Sequence, residues 1–258
     1  MSNYFIVFLS ILMVFSCTSF TPLPEPSSGI PVSRRKAFWD STPNTNELIF
    51  LGVAGDNLYK QKAITLALED AARRVAFYQS VGGTMVYHEG HGIGFLDFRF
   101  DSDTTLDYDQ DYRQYIAYLH FDPDRDVFEE NQSVFVRTRY RTQGPLAIKY
   151  NYVTKNGTPR WINKPPTEIA GYLAGVGFAG PRMFHKDTVI ASYENAVFDI
   201  VKSVSSRMYA KQEMLMNSMN TTSVTTISGM LRGFYVLETW TNPKTQAVWT
   251  LAIAREGK

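Results

Sequence analysis

A short glycine-centred stretch occurs twice in this chain, and each copy joins a strand-like run to a helix-like run. The first is Leu51-Gly52-Val53-Ala54-Gly55-Asp56-Asn57, leading into a helical pattern from Leu58 to Val81. The second is Ala174-Gly175-Val176-Gly177-Phe178-Ala179-Gly180, leading into a helical pattern from about His185 to Met216. The same sparse signal, Trp-x-x-x-Pro, precedes each copy: Trp39 to Pro43, then Trp161 to Pro165. Such an internal repeat constrains the fold more than composition does, because each copy must bury its apolar face in a similar way.

The two helical patterns share a register. Ile64, Leu68, Ala71, Val75 and Tyr78 fall at helical spacing on one face. The second pattern carries Val189, Tyr193, Ala196, Ile200 and Val204, and the first four of these lie 125 residues beyond the first four of the earlier set. Glu194 stands in the same relation to Glu69. The pairs Gly52-Val53 and Gly175-Val176 are 123 residues apart, which implies a loop two residues longer in the second copy. Lys62, Glu69, Arg73 and Gln79 lie off the apolar face, with Glu69 and Arg73 spaced for an i,i+4 ion pair. Asp56 or Asn57 is placed to cap the first helix, and Gly82-Gly83 to end it.

Strand signals surround both helices. Glu47–Val53 reads as a buried strand and Thr84–Tyr87 as the start of another. Ser133–Arg141 alternates, with Val134, Val136, Thr138 and Tyr140 on one face and Phe135, Arg137, Arg139 and Arg141 on the other. Ile148–Thr154 precedes a turn at Asn156-Gly157. In the second copy, Tyr172–Phe178 is followed after the helix by a hairpin of Met230–Trp240 and Ala247–Arg255, with Thr221–Ser228 as a third strand. The expectation is an α+β fold of two β-α-β-β units, each a curved antiparallel sheet packed on one long helix. The first spans residues 37–150, with an insertion at about 88–126, and the second residues 159–258. The glycine loops are not phosphate cradles: neither completes G-x-G-x-x-G, and antiparallel strands follow rather than a parallel crossover.

The N-terminus reads as an address. Residues 4–16, YFIVFLSILMVFS, have the length of a signal-peptide apolar region and end at Val14-Phe15-Ser16-Cys17. A small residue before a Cys at that place resembles the lipobox of bacterial lipoproteins, and by that resemblance Cys17 is the first mature residue and carries the acyl chains. An ordinary secretory signal and a short membrane anchor are the alternatives. Residues 18–36 form a tether in which Pro22, Pro24, Pro26 and Pro31 prevent packing and favour an extended chain. Arg34-Arg35-Lys36 closes it as a short basic cluster. With Cys17 the sole cysteine, no intrachain disulfide can form. The net charge of +1 argues against a nucleic-acid partner that needs a broad basic surface.

Candidate sites are sparse. His88 and His91 sit three apart in a Gly-rich turn, without the helical frame or third ligand of a metal hydrolase, so a solvated loop is the simpler reading and neither metal nor cofactor is expected. Asp101–Asp111 holds five Asp but lacks the EF-hand spacing. Arg137, Arg139 and Arg141, aligned on one strand face, could take a carboxylate- or phosphate-bearing polymer; a solvated strand face is the plainer reading.

Taken together, Cys17, Trp161…Pro165-Pro166 leading to Gly175-Val176-Gly177, the helix Val189–Val204 and the closing hairpin Met230–Arg255 resemble the LPP20-type family of bacterial envelope lipoproteins. The resemblance implies a helix-on-sheet fold similar to dodecins, no catalytic residues or cofactors, membrane attachment through N-terminal acyl chains, and action through contacts with other envelope proteins. It implies a place in the cell envelope, with the outer membrane facing the periplasm preferred because Thr18 rather than Asp follows the Cys. Homo-oligomers are compatible with it. The alternative functions are a binder of peptidoglycan or lipid, using the arginine face, and a metal-dependent hydrolase using His88 and His91.

Overall fold

The first helix starts and stops where the backbone, rather than a capping side chain, dictates. The computed structural model describes residues 46–56, 59–88, 99–100, 104–142, 157–213 and 224–257. Strand β1 runs Glu47–Gly55 and helix α1 Lys60–Gln79. Tyr59 stands at the N-cap with extended backbone and makes no side-chain capping hydrogen bond, so Asp56 does not cap the helix; the Asp56 N–H bonds Gln132 O instead. The helix ends because Ser80 turns fully extended, and Gly82-Gly83 lie inside the next strand, β2, Val81–His88.

After β2 come the short strands β3, Arg99–Phe100, and β4, Thr105–Tyr108. A 3-10 helix spans Tyr112–Tyr118. Strands β5, Leu119–His120, β6, Val127–Glu130, and β7, Ser133–Arg141, complete the first half. The second half holds a single helical turn α2, Arg160–Asn163, then β8, Glu168–Ile169, and β9, Tyr172–Ala179. Helix α3, His185–Glu213, precedes β10, Val224–Thr241, and β11, Val248–Glu256. Residues 224–228 of the segment read as a separate third strand are the beginning of β10, and residues 221–223 lie outside the described residues. The protein is thus an α+β fold with antiparallel sheets, and no described helix is long and apolar enough to cross a membrane.

The strand–helix corner recurs at a separation of 125 residues. A Cβ on Gly52 would stand 1.8 Å from Ala67 O and 2.9 Å from Ala71 N; one on Gly177 would stand 1.9 Å from Ser192 O and 2.3 Å from Ala196 N. Each strand crosses its helix at a point where only glycine fits. Tyr59 O accepts from the Lys62 and Ala63 N–H groups, as Phe184 O does from Asp187 and Thr188. The counterpart of Gly52 is therefore Gly177 and not Gly175, and the two loops are equal in length.

Pairing follows the expected outline with one exchange. Strand β1 pairs β7 along its whole length, with β5 and β6 on the far side of β7. In the second half β9 pairs β11 and β11 pairs β10. Strand β2 leaves the first sheet: it pairs residues Val224–Leu231 at the start of β10 and carries β3 and β4 with it, making a seven-stranded sheet among the described residues. The long β10 thus serves β2 with its first half and β11 with its second, bending at Gly233 (φ 66) beside register shifts.

The core is shared accordingly. One cluster joins Phe77, Val81 and Met85 of the first half to Val197, Ile200, Val201 and Leu231 of the second. Another joins Leu48, Phe50 and Val75 to Trp161, Tyr235, Leu251 and Ile253. The described residues fall within one compact unit, Phe38–Lys258. Strand β11 alternates with both faces covered, Ala252 and Ala254 in the first cluster and Leu251 and Ile253 in the second.

Candidate functional site

Residues 1–45, with Cys17, the tether and Trp39, lie outside the described residues, as do His91, Ile148–Thr154 and the side chain of His88. The arginine face is described. Strand β7 places Arg137, Arg139 and Arg141 on one side, as alternation requires. They are not equivalent. The turn before β6 delivers Asp126, whose side chain is 3% exposed, against this face. Arg137 donates to Asp126 Oδ1 from Nε at 2.8 Å and from Nη2 at 2.5 Å. Arg139 reaches Asp126 Oδ2 at 3.4 Å and is half exposed. Arg141 is open, with Glu47 at 3.9 Å. Phe135, on the same side, is buried and faces Phe128 and His185. One end of the face is built into the body and only the Arg139–Arg141 end meets solvent.

A second charged group was not anticipated. On α1, Asp70 and Arg74 are one turn apart and both nearly fully buried. Asp70 Oδ2 accepts from the Val53 N–H at 3.0 Å, Arg74 Nε at 3.0 Å and Arg74 Nη2 at 2.7 Å. Its Oδ1 accepts from Arg73 Nη2 at 2.8 Å. Burial opposes the charge of Asp70, but Arg74, Arg73 and the Val53 N–H outweigh it and hold the carboxyl below the ordinary aspartate value. The Arg74 guanidinium stacks 3.6 Å above the ring of Tyr193 on α3, a contact of about 2 kcal/mol when desolvated. Burial pushes the Tyr193 hydroxyl up, and it accepts from Thr239 at 3.1 Å. Arg73 also reaches across to Glu194 on α3. The expected Glu69–Arg73 pair is replaced: Arg73 turns to Asp70 and Glu194, and Glu69 takes Arg113. A carboxylate one turn away on the buried side, plus one on the neighbouring helix, outcompetes a partner near solvent.

Tyr235 forms a third link between the halves. Its hydroxyl accepts from the Ile49 N–H at 3.4 Å and donates to Ile49 O at 3.1 Å. Burial pushes its pKa up to about 12. The signal for the Asp70–Arg74 pair was present as i,i+4 spacing, but on a helix face the apolar stripe leaves to solvent. What makes that face internal is α3, more than a hundred residues away.

Chemically, these groups hold charge and position backbone. Among the described residues, no three His, Cys, Asp or Glu side chains gather to hold a metal ion. Comparison with models of known families, with characterised proteins and with solved structures gives no match.

Proposed function

We propose that this chain is a non-enzymatic, lipid-anchored protein of the bacterial cell envelope that acts through protein contacts, held at the outer membrane and facing the periplasm. The observation that carries the reading is the position of the sole cysteine: Cys17 closes a 13-residue apolar run and opens a proline-rich spacer. Each buried CH₂ of an acyl chain contributes roughly 0.8 kcal/mol to membrane attachment. The folded body accords with a scaffold, since the charges it buries, Asp70, Arg74 and Asp126, are committed to partners within the chain. The same reading takes the halves as copies of one β-α-β-β unit, supported by the 125-residue register of the two glycine crossings.

The test is metabolic labelling with a palmitate analogue. The wild-type chain takes the label and Cys17→Ser does not; equal labelling of both rules the anchor out. Cross-linking the anchored protein in its own cells then recovers its envelope partners.

A further inference from the structure

Large apolar side chains gather, exposed, at the end of the fold where β1 and β9 stop and α1 and α3 begin. Met183 is 90% exposed and Tyr59 72%, with Phe178 and Phe184 about half exposed. The two corners adjoin: a Cβ on Gly55, the last residue of β1, would stand 3.3 Å from the Lys186 side chain on α3. Among the described residues, the other exposed large apolar side chains are Leu66, Tyr118 and Met230, one each on α1, the 3-10 helix and β10. Single residues of that kind are ordinary, whereas a group of four marks a contact surface. Tyr59 and Phe184 hold equivalent places, 125 residues apart, and both corners close through their carbonyl oxygens. Any residue supplies that carbonyl, so the corner itself does not call for an aromatic side chain at either place.

Basic residues are interleaved with these side chains. Lys60 follows Tyr59, Arg182 precedes Met183, and Lys186 stands two beyond Phe184. Lys60 pairs with Glu129 at 2.8 Å and Lys186 with Asp187 at 3.2 Å. Lys62 and Arg182 are exposed and make no ion pair among the described residues.

We propose that this end of the body lies against the lipid surface, with Met183, Phe184 and Tyr59 entering the headgroup layer and Lys62 and Arg182 meeting anionic phosphates. The proposal rests on the anchor at Cys17. Two observations favour lipid over another protein. Apolar and aromatic tips beside basic side chains match a boundary where an acyl layer adjoins an anionic one. The length of chain ahead of β1 also permits the contact. The chain enters β1 at the opposite end, and β1, nine residues, is about 30 Å long at about 3.3 Å per residue. Residues 18–45 can reach up to roughly 85 Å at about 3.1 Å per residue, so the anchor and the apolar end can meet one membrane. A tether of that reach keeps the lipid close, so a contact of few side chains suffices.

The experiment uses the acylated full chain in vesicles of phosphatidylethanolamine and phosphatidylglycerol. Acylation blocks the Cys17 thiol, so a fluorophore attached through Met183→Cys reports position 183 alone. The control is Tyr118→Cys. Tyr118 is 61% exposed and lies at the opposite end, beside the pairing of Leu119 with Tyr140 and of Tyr140 with Leu48 near the start of β1. Lipids brominated on the upper acyl chain are expected to remove most of the emission at 183 and little of that at 118. In a chain that floats with the vesicles, no quenching at 183, or quenching at 118 at least as strong, overturns the proposal and leaves the anchor standing. A label at 183 shielded from water but not quenched assigns this end to a protein contact, a second copy included, and overturns the proposal equally. A chain that does not float overturns the anchor and this proposal with it.

Discussion

A methyl group on Gly52 would stand 1.8 Å from the Ala67 carbonyl oxygen, and one on Gly177 1.9 Å from that of Ser192. In both places the obstacle is helix backbone, which cannot swing aside as a side chain tip does. Gly52→Ala and Gly177→Ala are each expected to lower unfolding stability by on the order of 3 kcal/mol. Gly180→Ala, with nothing within 4 Å, is the near-neutral control. Equilibrium denaturation decides, and loss-free Gly52→Ala would contradict the crossing geometry. The sequence marks these glycines but cannot rank them. Gly175 and Gly177 lie two apart on one strand face and both meet α3, Gly175 against Ile200 and Gly177 against the backbone. Likewise, alternation places three arginines on one face of β7, but Asp126 is brought to them by a turn and a hairpin. A contact of that kind leaves no periodic trace.

Among the described residues, strand β9 has a largely open outer edge, since β8 pairs there with Tyr172 and Leu173 alone. Helix α3 guards the rest. Asp199 Oδ2 accepts from the Val176 N–H at 2.9 Å, and Asn195 Nδ2 donates to Phe178 O at 2.7 Å. Thr167 O takes the Ala174 N–H. These caps occupy groups that a foreign strand would need. Removing both side chains, Asn195→Ala with Asp199→Ala, is expected to produce concentration-dependent self-association beyond that of the parent in sedimentation; parental behaviour at every concentration would assign the edge another protection. Position 195 also differs in its bonding from the position 125 residues before it. Asp70, its counterpart by register, bonds the equivalent strand at Val53 and, being charged, recruits Arg73 and Arg74. The elements themselves are well marked in the sequence: α1, α3, β7 and the closing hairpin fall within a few residues of their expected spans. The helix faces are less so, because an apolar stripe identifies one buried side and α1 is buried on more than one.

Across the whole molecule, the sequence leads to an expectation of two similar units and leaves no sign that β2 pairs with β10. Helix and strand periodicity are local, whereas the choice of β10 rather than β7 as partner for β2 is a comparison between distant edges. The mixed core gives this a measurable form. A chain cut within residues 143–156 is expected to stay associated on native gel filtration, held by β2–β10 pairing and by Phe77, Val81 and Met85 among residues of the second half. Each piece expressed alone should lack native circular dichroism, and independently folded pieces would show that the halves are separate domains.

The exchange also imposes an order in time. Strand β2 ends at His88, and the strand it pairs with begins at Val224. With roughly 130–140 residues to be made in between, a chain growing at about 5–20 residues per second carries β2 without its β10 partner for roughly 7–28 seconds, with only β3 and β4 at hand to pair it. The first half thus waits, one edge of β2 and the apolar face beneath it uncovered, until β10 arrives.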